Sequence, residues 1–156
     1  MKSDKATANQ YQQRLAADFP ELKIRSLNMI GSGWDHDAVE VNEQLIFRLP
    51  RGVHDVSKFA TSVSYETKIL RRLQGKLPIS LPNPSHIAPG NAYFGYPKLS
   101  GVLLKDAVDT LSEQDWAALK EDWVSIASSI HEAISVEEAR SLGIPDFEGP
   151  DTSGVE

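Results

Sequence analysis

The chain has 156 residues, 40% hydrophobic and 24% charged, an ordinary globular composition with room for one domain or for a small lobe and part of a second. It contains no cysteine, which excludes disulfides, thiolate nucleophiles and every cysteine-based metal or iron–sulfur site. A formal net charge of -6 speaks against general nucleic-acid binding, and no apolar run is long enough to span a bilayer.

The polar opening stretch has no secretory core, so a cytoplasmic protein away from the membrane is expected. Charge is unevenly spread. Residues 1–105 hold 14 Lys and Arg against 9 Asp and Glu; residues 106–156 hold 2 against 13. Taken alone, this reads either as two solvated faces or as an anion-binding region beside an acidic one.

In chain order, Thr7 to Phe19 predicts a short amphipathic helix, with Tyr11, Leu15 and Phe19 on one face and Pro20 ending it. A strand-like run over Ile24, Leu27, Met29 and Ile30 follows. Gly31-Ser32-Gly33-Trp34-Asp35 then makes a glycine-rich turn. Strands are predicted again around Ala38–Val41 and Leu45–Leu49, with Asn42-Glu43 turning between them. The result is an antiparallel meander.

Val56 to Leu77 has helical spacing, and Pro78 to Pro89, with four prolines, excludes a helix. His86 to Ala88 and Ala92 to Leu99 read as strands. Beyond Gly101 the pattern is helical. Ser112 and Asp115 have the spacing of a capping box, and Trp116, Leu119, Trp123, Ile126, Ile130 and Ile134 form one apolar stripe. Residues 137–142 add another helical turn or two.

Four features could carry chemistry. The Gly31–Asp35 turn lets backbone N–H groups approach an anion, although alone it is no more than a hairpin turn. It lacks the Gly-Lys-Ser/Thr of a P-loop, and a strand follows it where a dinucleotide fold needs a helix. Arg48 lies between apolar Phe47 and Leu49, so its side chain takes the opposite face from both. Glu66, in mid-helix, is either solvated or turned back toward Arg48. The run Tyr93 to Gly101 is a strand passing into a connector, where the Pro97 carbonyl and the Leu99 N–H could meet a purine edge. In this order, the parts match the nucleotide-gripping layout of a kinase N-lobe.

Over about residues 20–145 the chain resembles the N-terminal part of the aminoglycoside phosphotransferase family, its 2''-phosphotransferase branch above all, and similar macrolide and choline-kinase-like enzymes. The residues that carry the resemblance are Gly31-Ser32-Gly33-Trp34-Asp35, Val39–Val41, Ile46 to Arg51, Glu66 with Leu70 and Leu73, Tyr96 to Gly101, and the helix ending Ile130-His131.

The resemblance implies an α+β fold: a protein-kinase-like N-lobe with a five-stranded antiparallel sheet and one helix, then the first helices of a helical C-lobe. It divides the chain into an N-terminal helix (1–21), a nucleotide-binding N-lobe (22–96), a hinge (97–101), the start of the C-lobe (102–142) and a flexible tail (143–156). It implies ATP or GTP with Mg²⁺ as cofactor and, in the whole enzyme, a small-molecule hydroxyl as acceptor. Ser32, Gly33 and Trp34 would cover the phosphates. Arg48 stands where the family carries a lysine and would pair with Glu66. Tyr96 would guard the back of the purine pocket, and Pro97, Lys98 and Leu99 would form the hinge.

The family's catalytic loop is not found. No His begins a His-x-Asp-x₄-Asn run, and Asp146-Phe147-Glu148-Gly149 carries an inserted Glu where a metal-binding Asp-Phe-Gly would stand. The chain is therefore expected to be inactive alone, with no catalytic residue and no magnesium ligand of its own. The contrasting expectation is a non-catalytic module that self-associates through the Trp116–Ile134 stripe.

Overall fold

The computed structural model of the chain describes residues 2–51 and 57–145. Five strands form one sheet: β1 (Leu27–Ser32), β2 (His36–Val41), β3 (Leu45–Pro50), β4 (His86–Ile87) and β5 (Phe94–Pro97). Their order is β1-β2-β3-β5-β4, and every pairing is antiparallel. The helices are α1 (Lys2–Asp18), α2 (Ser57–Leu73), α3 (Leu104–Ala107), α4 (Glu113–Ala133) and α5 (Val136–Ser141). This is the expected α+β architecture, with a sheet and one intervening helix before the helical run.

Boundaries differ from the sequence reading where tertiary contacts decide them. The first helix starts earlier, at Lys2. The second stops at Leu73, before a turn in which Gly75 has a φ of 72°, a conformation that favours glycine. The last strand is confined to Phe94–Pro97, because only these residues find partners on β3. A single 3₁₀ turn at Pro89–Asn91 joins β4 to β5.

Strand alternation sorts the sheet into two faces. Val39, Val41, Phe47 and Leu49 point to one, where they bury with Tyr11 and Leu15 of α1, with Phe19 just beyond it and with Tyr93. Phe19 and Phe47 pack with ring centroids 5.6 Å apart. The α1 helix is further tied to the sheet region by Tyr93, whose hydroxyl donates to Asp18 at 2.5 Å. The register puts Ala38, Arg48 and Phe94 side by side on the other face, next to Glu40, Ile46 and Tyr96. That second face is the one with chemical content.

The helical half is thinly covered. Ser112 and Asp115 close the expected capping box on α4, yet no residue of α4 is buried. Along its apolar stripe, Trp116, Leu119, Ile126 and Ile134 are half-buried, while Trp123 and Ile130 are exposed. Of the stretch expected to be a flexible tail, residues 143–145 are described, and the Gly143 and Ile144 amides donate to Arg140 and Ala139 of α5. Residues 146–156, with the Asp146–Gly149 motif, lie outside the described residues, as does His54.

Candidate functional site

The site grows from β3. Arg48 is forced off the α1 face by its apolar neighbours, and on the open face its guanidinium donates to the Glu66 carboxylate of α2. Its Cζ also lies 5.8 Å from the centroid of the Phe94 ring. A carboxylate and an aromatic face thus fix a planar cation that keeps some of its donors for a ligand. A lysine could make the ion pair but would not present the same fork.

His36 shares this face, two residues before Ala38, and meets the Phe59 ring of α2 edge-on at 5.0 Å. Burial, and then the nearby Arg48 charge, hold its pKa below the ordinary 6.5. Gly33, Trp34, Asp35, His36, Asp37, Ala38 and Arg48 line an open cleft of about 290 Å³. The glycine turn and the cation therefore border one cavity.

The turn itself departs from its expected role in detail. The Ser32 hydroxyl points to the α1 side and donates to Asp37 at 2.6 Å, so it does not face the cleft. The Gly33 amide donates to the His36 carbonyl at 2.8 Å, inside the turn. A Cβ on Gly33 would lie 3.1 Å from that carbonyl oxygen, a tight approach that a small shift would have to relieve. Trp34 is 98% exposed at the tip.

At the other end of the face, Tyr96 pairs with Ile46 and packs beside Phe94, centroids 6.0 Å apart. Burial raises its phenol pKa. Pro97 closes the strand opposite Leu45. The Lys98 amide donates to the Gln44 carbonyl at 2.7 Å, and its ammonium donates to Glu40 at 2.5 Å. That bond holds the Glu40 carboxyl below its ordinary range. Lys98 is thus engaged on both backbone and side chain, while Leu99, beyond it, is 40% exposed.

The structure therefore unites Arg48, Glu66, Gly33 and Trp34 at one end of the face, and Tyr96, Pro97, Lys98 and Leu99 at the other. Sequence reasoning missed His36 and Phe94. Both were within reach of strand periodicity, since Phe94 lies two residues from Tyr96 and His36 two from Ala38. Among the described residues, no group of three or more His, Cys, Asp or Glu side chains is placed to hold a metal ion. No helix is long and apolar enough to cross a membrane, again among the described residues.

No protein-family model matches the chain. Solved structures do. The GDP and kanamycin complex of APH(2")-IIia matches with a TM-score of 0.76 at 26% identity, over 88% of this chain and 46% of that one. The GDP complex of wild-type aminoglycoside 2'-phosphotransferase-IIIa gives a TM-score of 0.77 at 25% identity, over 90% of this chain and 47% of that one. Macrolide 2'-phosphotransferase type I shares the fold, with a TM-score of 0.58 at 22% identity over 88% of this chain and 47% of that one.

The five-stranded antiparallel sheet with its intervening α2 helix matches the kinase-like fold of these phosphotransferases. Within that class the chain is similar to the N-terminal portion of the aminoglycoside phosphotransferases. It spans about half the length of the solved structures it matches.

Proposed function

We propose that this chain is the nucleotide-binding part of a kinase that transfers the γ-phosphoryl of ATP or GTP to a hydroxyl of a small molecule of the aminoglycoside kind. The observation that carries the reading is Arg48, paired with Glu66 of α2, lining the cleft beside the glycine turn. In this reading Arg48 neutralises the triphosphate, Glu66 and Phe94 hold its fork in place, and the turn closes over the phosphates. The Pro97 carbonyl accepts from the purine and the Leu99 N–H donates to it. Tyr96 limits the depth of the purine pocket.

Mg²⁺ would accompany the triphosphate. In this reading the lobe supplies positioning and charge to the phosphates. The N-lobe (22–96), hinge (97–101) and start of a C-lobe (102–142) follow as functional divisions. The whole protein would act in the cytoplasm, where nucleoside triphosphates are, and would protect against an antibiotic by modifying it.

The test is calorimetric titration of the purified chain with ATP and with GTP, each with Mg²⁺. Saturable binding that Arg48→Ala abolishes is expected, and a folded chain that binds neither nucleotide overturns the reading. The 156 residues hold no His-x-Asp-x₄-Asn run, so no phosphoryl transfer by this polypeptide alone is expected. Mg²⁺-dependent phosphorylation of an aminoglycoside that co-purifies with the chain would contradict that.

A second reading rests on α4, where Trp123 is 63% and Val124 68% exposed on a helix with no buried residue. A stripe of this kind favours self-association. Light scattering that gives a concentration-dependent dimer, reversed by Trp123→Asp, would support it; a monomer at every concentration would exclude it.

A further inference from the structure

Asp37, one of the residues bordering the cleft, is a buried carboxylate, 3% exposed, whose side chain turns to the face of the sheet opposite that of Arg48. Its parity on β2 puts its side chain with Val39 and Val41, toward α1. Both of its oxygens are occupied. Oδ2 accepts from the Tyr11 hydroxyl of α1 at 2.7 Å, and Oδ1 accepts from the Ser32 hydroxyl at 2.6 Å. Ser32 is the last residue of β1 and the first support of the turn. Tyr11 also reaches the Pro50 carbonyl at the end of β3, at 3.4 Å.

Three strand ends next to the phosphate turn are therefore gathered by one buried anion and one phenol. Burial, and then the bond to Asp37, raise the phenol's pKa, so it stays a donor. The turn is also held from β3, where the Arg51 side chain donates to the Gly33 carbonyl at 3.1 Å and its amide to the Asp35 carbonyl at 2.9 Å.

A buried carboxylate that loses a hydroxyl donor loses a charge-assisted hydrogen bond, and on the Tyr11 side, within the α1 core, no other donor takes its place. Any rearrangement that satisfies it again moves Ser32, and with Ser32 the turn. The consequence falls on the phosphate end of the site, more than two residues of strand away from the hinge.

We propose that Tyr11, Asp37 and Ser32 are positioning residues that set the posture of the Gly31–Asp35 turn over the triphosphate, so that the N-terminal helix tunes phosphate affinity from the far side of the sheet. This rests on the nucleotide reading above and adds residues that do not touch the nucleotide. It also reassigns Ser32, whose hydroxyl supports the turn and does not contact phosphate.

The test compares Tyr11→Phe and Ser32→Ala with the wild-type chain. Three quantities are measured: affinity for Mg²⁺-ATP, affinity for adenosine, and amide hydrogen exchange over residues 31–36 without ligand. Tyr11→Phe keeps the ring in the core and removes only the hydroxyl. It is expected to weaken ATP about tenfold, the equivalent of one such bond, to leave adenosine binding unchanged, and to speed exchange at the Gly33 amide.

Unchanged ATP affinity and unchanged exchange in Tyr11→Phe overturn the proposal. So does a parallel loss of ATP and adenosine binding that follows a drop in Tm, which marks a purely structural role. An effect of Ser32→Ala without one of Tyr11→Phe restores direct phosphate contact by Ser32 and also overturns it. If the wild-type chain binds neither ligand, the nucleotide reading fails and the affinity claim falls with it; the exchange rates still decide separately whether the tether from α1 holds the turn.

Discussion

Arg48 and Glu66, eighteen residues apart in sequence, meet as an ion pair between β3 and α2, with the two side chains 36% and 34% exposed. A pair this open to water adds little to folding, on the order of 0–1 kcal/mol. Its value lies in orientation. Arg48→Ala and Glu66→Gln are therefore expected to leave the urea midpoint nearly unchanged. Arg48→Ala abolishes nucleotide binding, and Glu66→Gln weakens it about tenfold by freeing the guanidinium. Denaturation and titration curves on the same preparations check both halves. A large fall in stability with intact binding would show the pair to be structural.

Gly95 of β5 lies directly against the Phe47 ring. A Cβ there would stand 2.5 Å from Phe47 Cδ1 and 2.8 Å from Cζ, and the Phe47 ring is fully buried. The ring has no free volume to move into. Gly95→Ala is expected to destabilise the chain by about 3 kcal/mol, read as a lower urea midpoint with unchanged slope. Wild-type stability in this variant would mean that β5 can lift away from the core.

His36 gives the fold a pH dependence near neutrality. Burial and Arg48 depress its pKa below 6.5, while Asp35 and Glu66 oppose them. The unfolded chain then takes up a proton that the folded chain refuses, so stability falls as pH drops below 6.5 and levels off once pH passes the folded pKa. The carboxyls lowered by Lys98 and Arg72, Glu40 and Glu138, act only below their ordinary 4.5 and so lie outside this window. Urea midpoints between about pH 7.5 and pH 5.5 should decline in the wild type and decline less in His36→Phe. Equal slopes would remove His36 as the cause.

Three cations four residues apart carry α2 and the turn after it onto the far helices. The Lys68 ammonium donates to the Leu142 carbonyl and that of Lys76 to the Ala133 carbonyl, both at 3.0 Å, and Arg72 pairs with Glu138. The two lysines thus meet helix C-termini, where the backbone dipole favours positive charge. Arg72→Ala is expected to raise protease susceptibility between α4 and α5 while leaving the sheet protected from hydrogen exchange. Loss of protection in β2 and β3 as well would show that α2 and the sheet unfold as one unit.

Much of this was legible in the sequence for identifiable reasons. The meander follows from alternating apolar residues around Gly31–Asp35 and Asn42-Glu43. Strand parity places Arg48 on the open face, while its pairing with Glu66 is expected only from the family resemblance. What was hidden depended on register. Nothing local says that Ser32 faces the α1 side, because the shift in pairing between Met29 and Gly31 resets the parity of β1. The partnership of Tyr11 with Asp37 joins residues from separate elements that no spacing rule connects. The start of α1 at Lys2 was missed because the apolar face begins only at Tyr11.

The double engagement of Lys98 decides where the molecule can bend. Its amide is held by Gln44 in the β2–β3 turn and its ammonium by Glu40 on β2, so the first half of the connector is mechanically part of the sheet. The articulation is displaced to Leu99–Gly101, where the side chains stand in solvent and Gly101 adopts a φ of 138°. Pro97 and Arg48 then ride on one rigid plate. In the proposed nucleotide reading, the span between a base at one end and phosphates at the other is set by this plate alone.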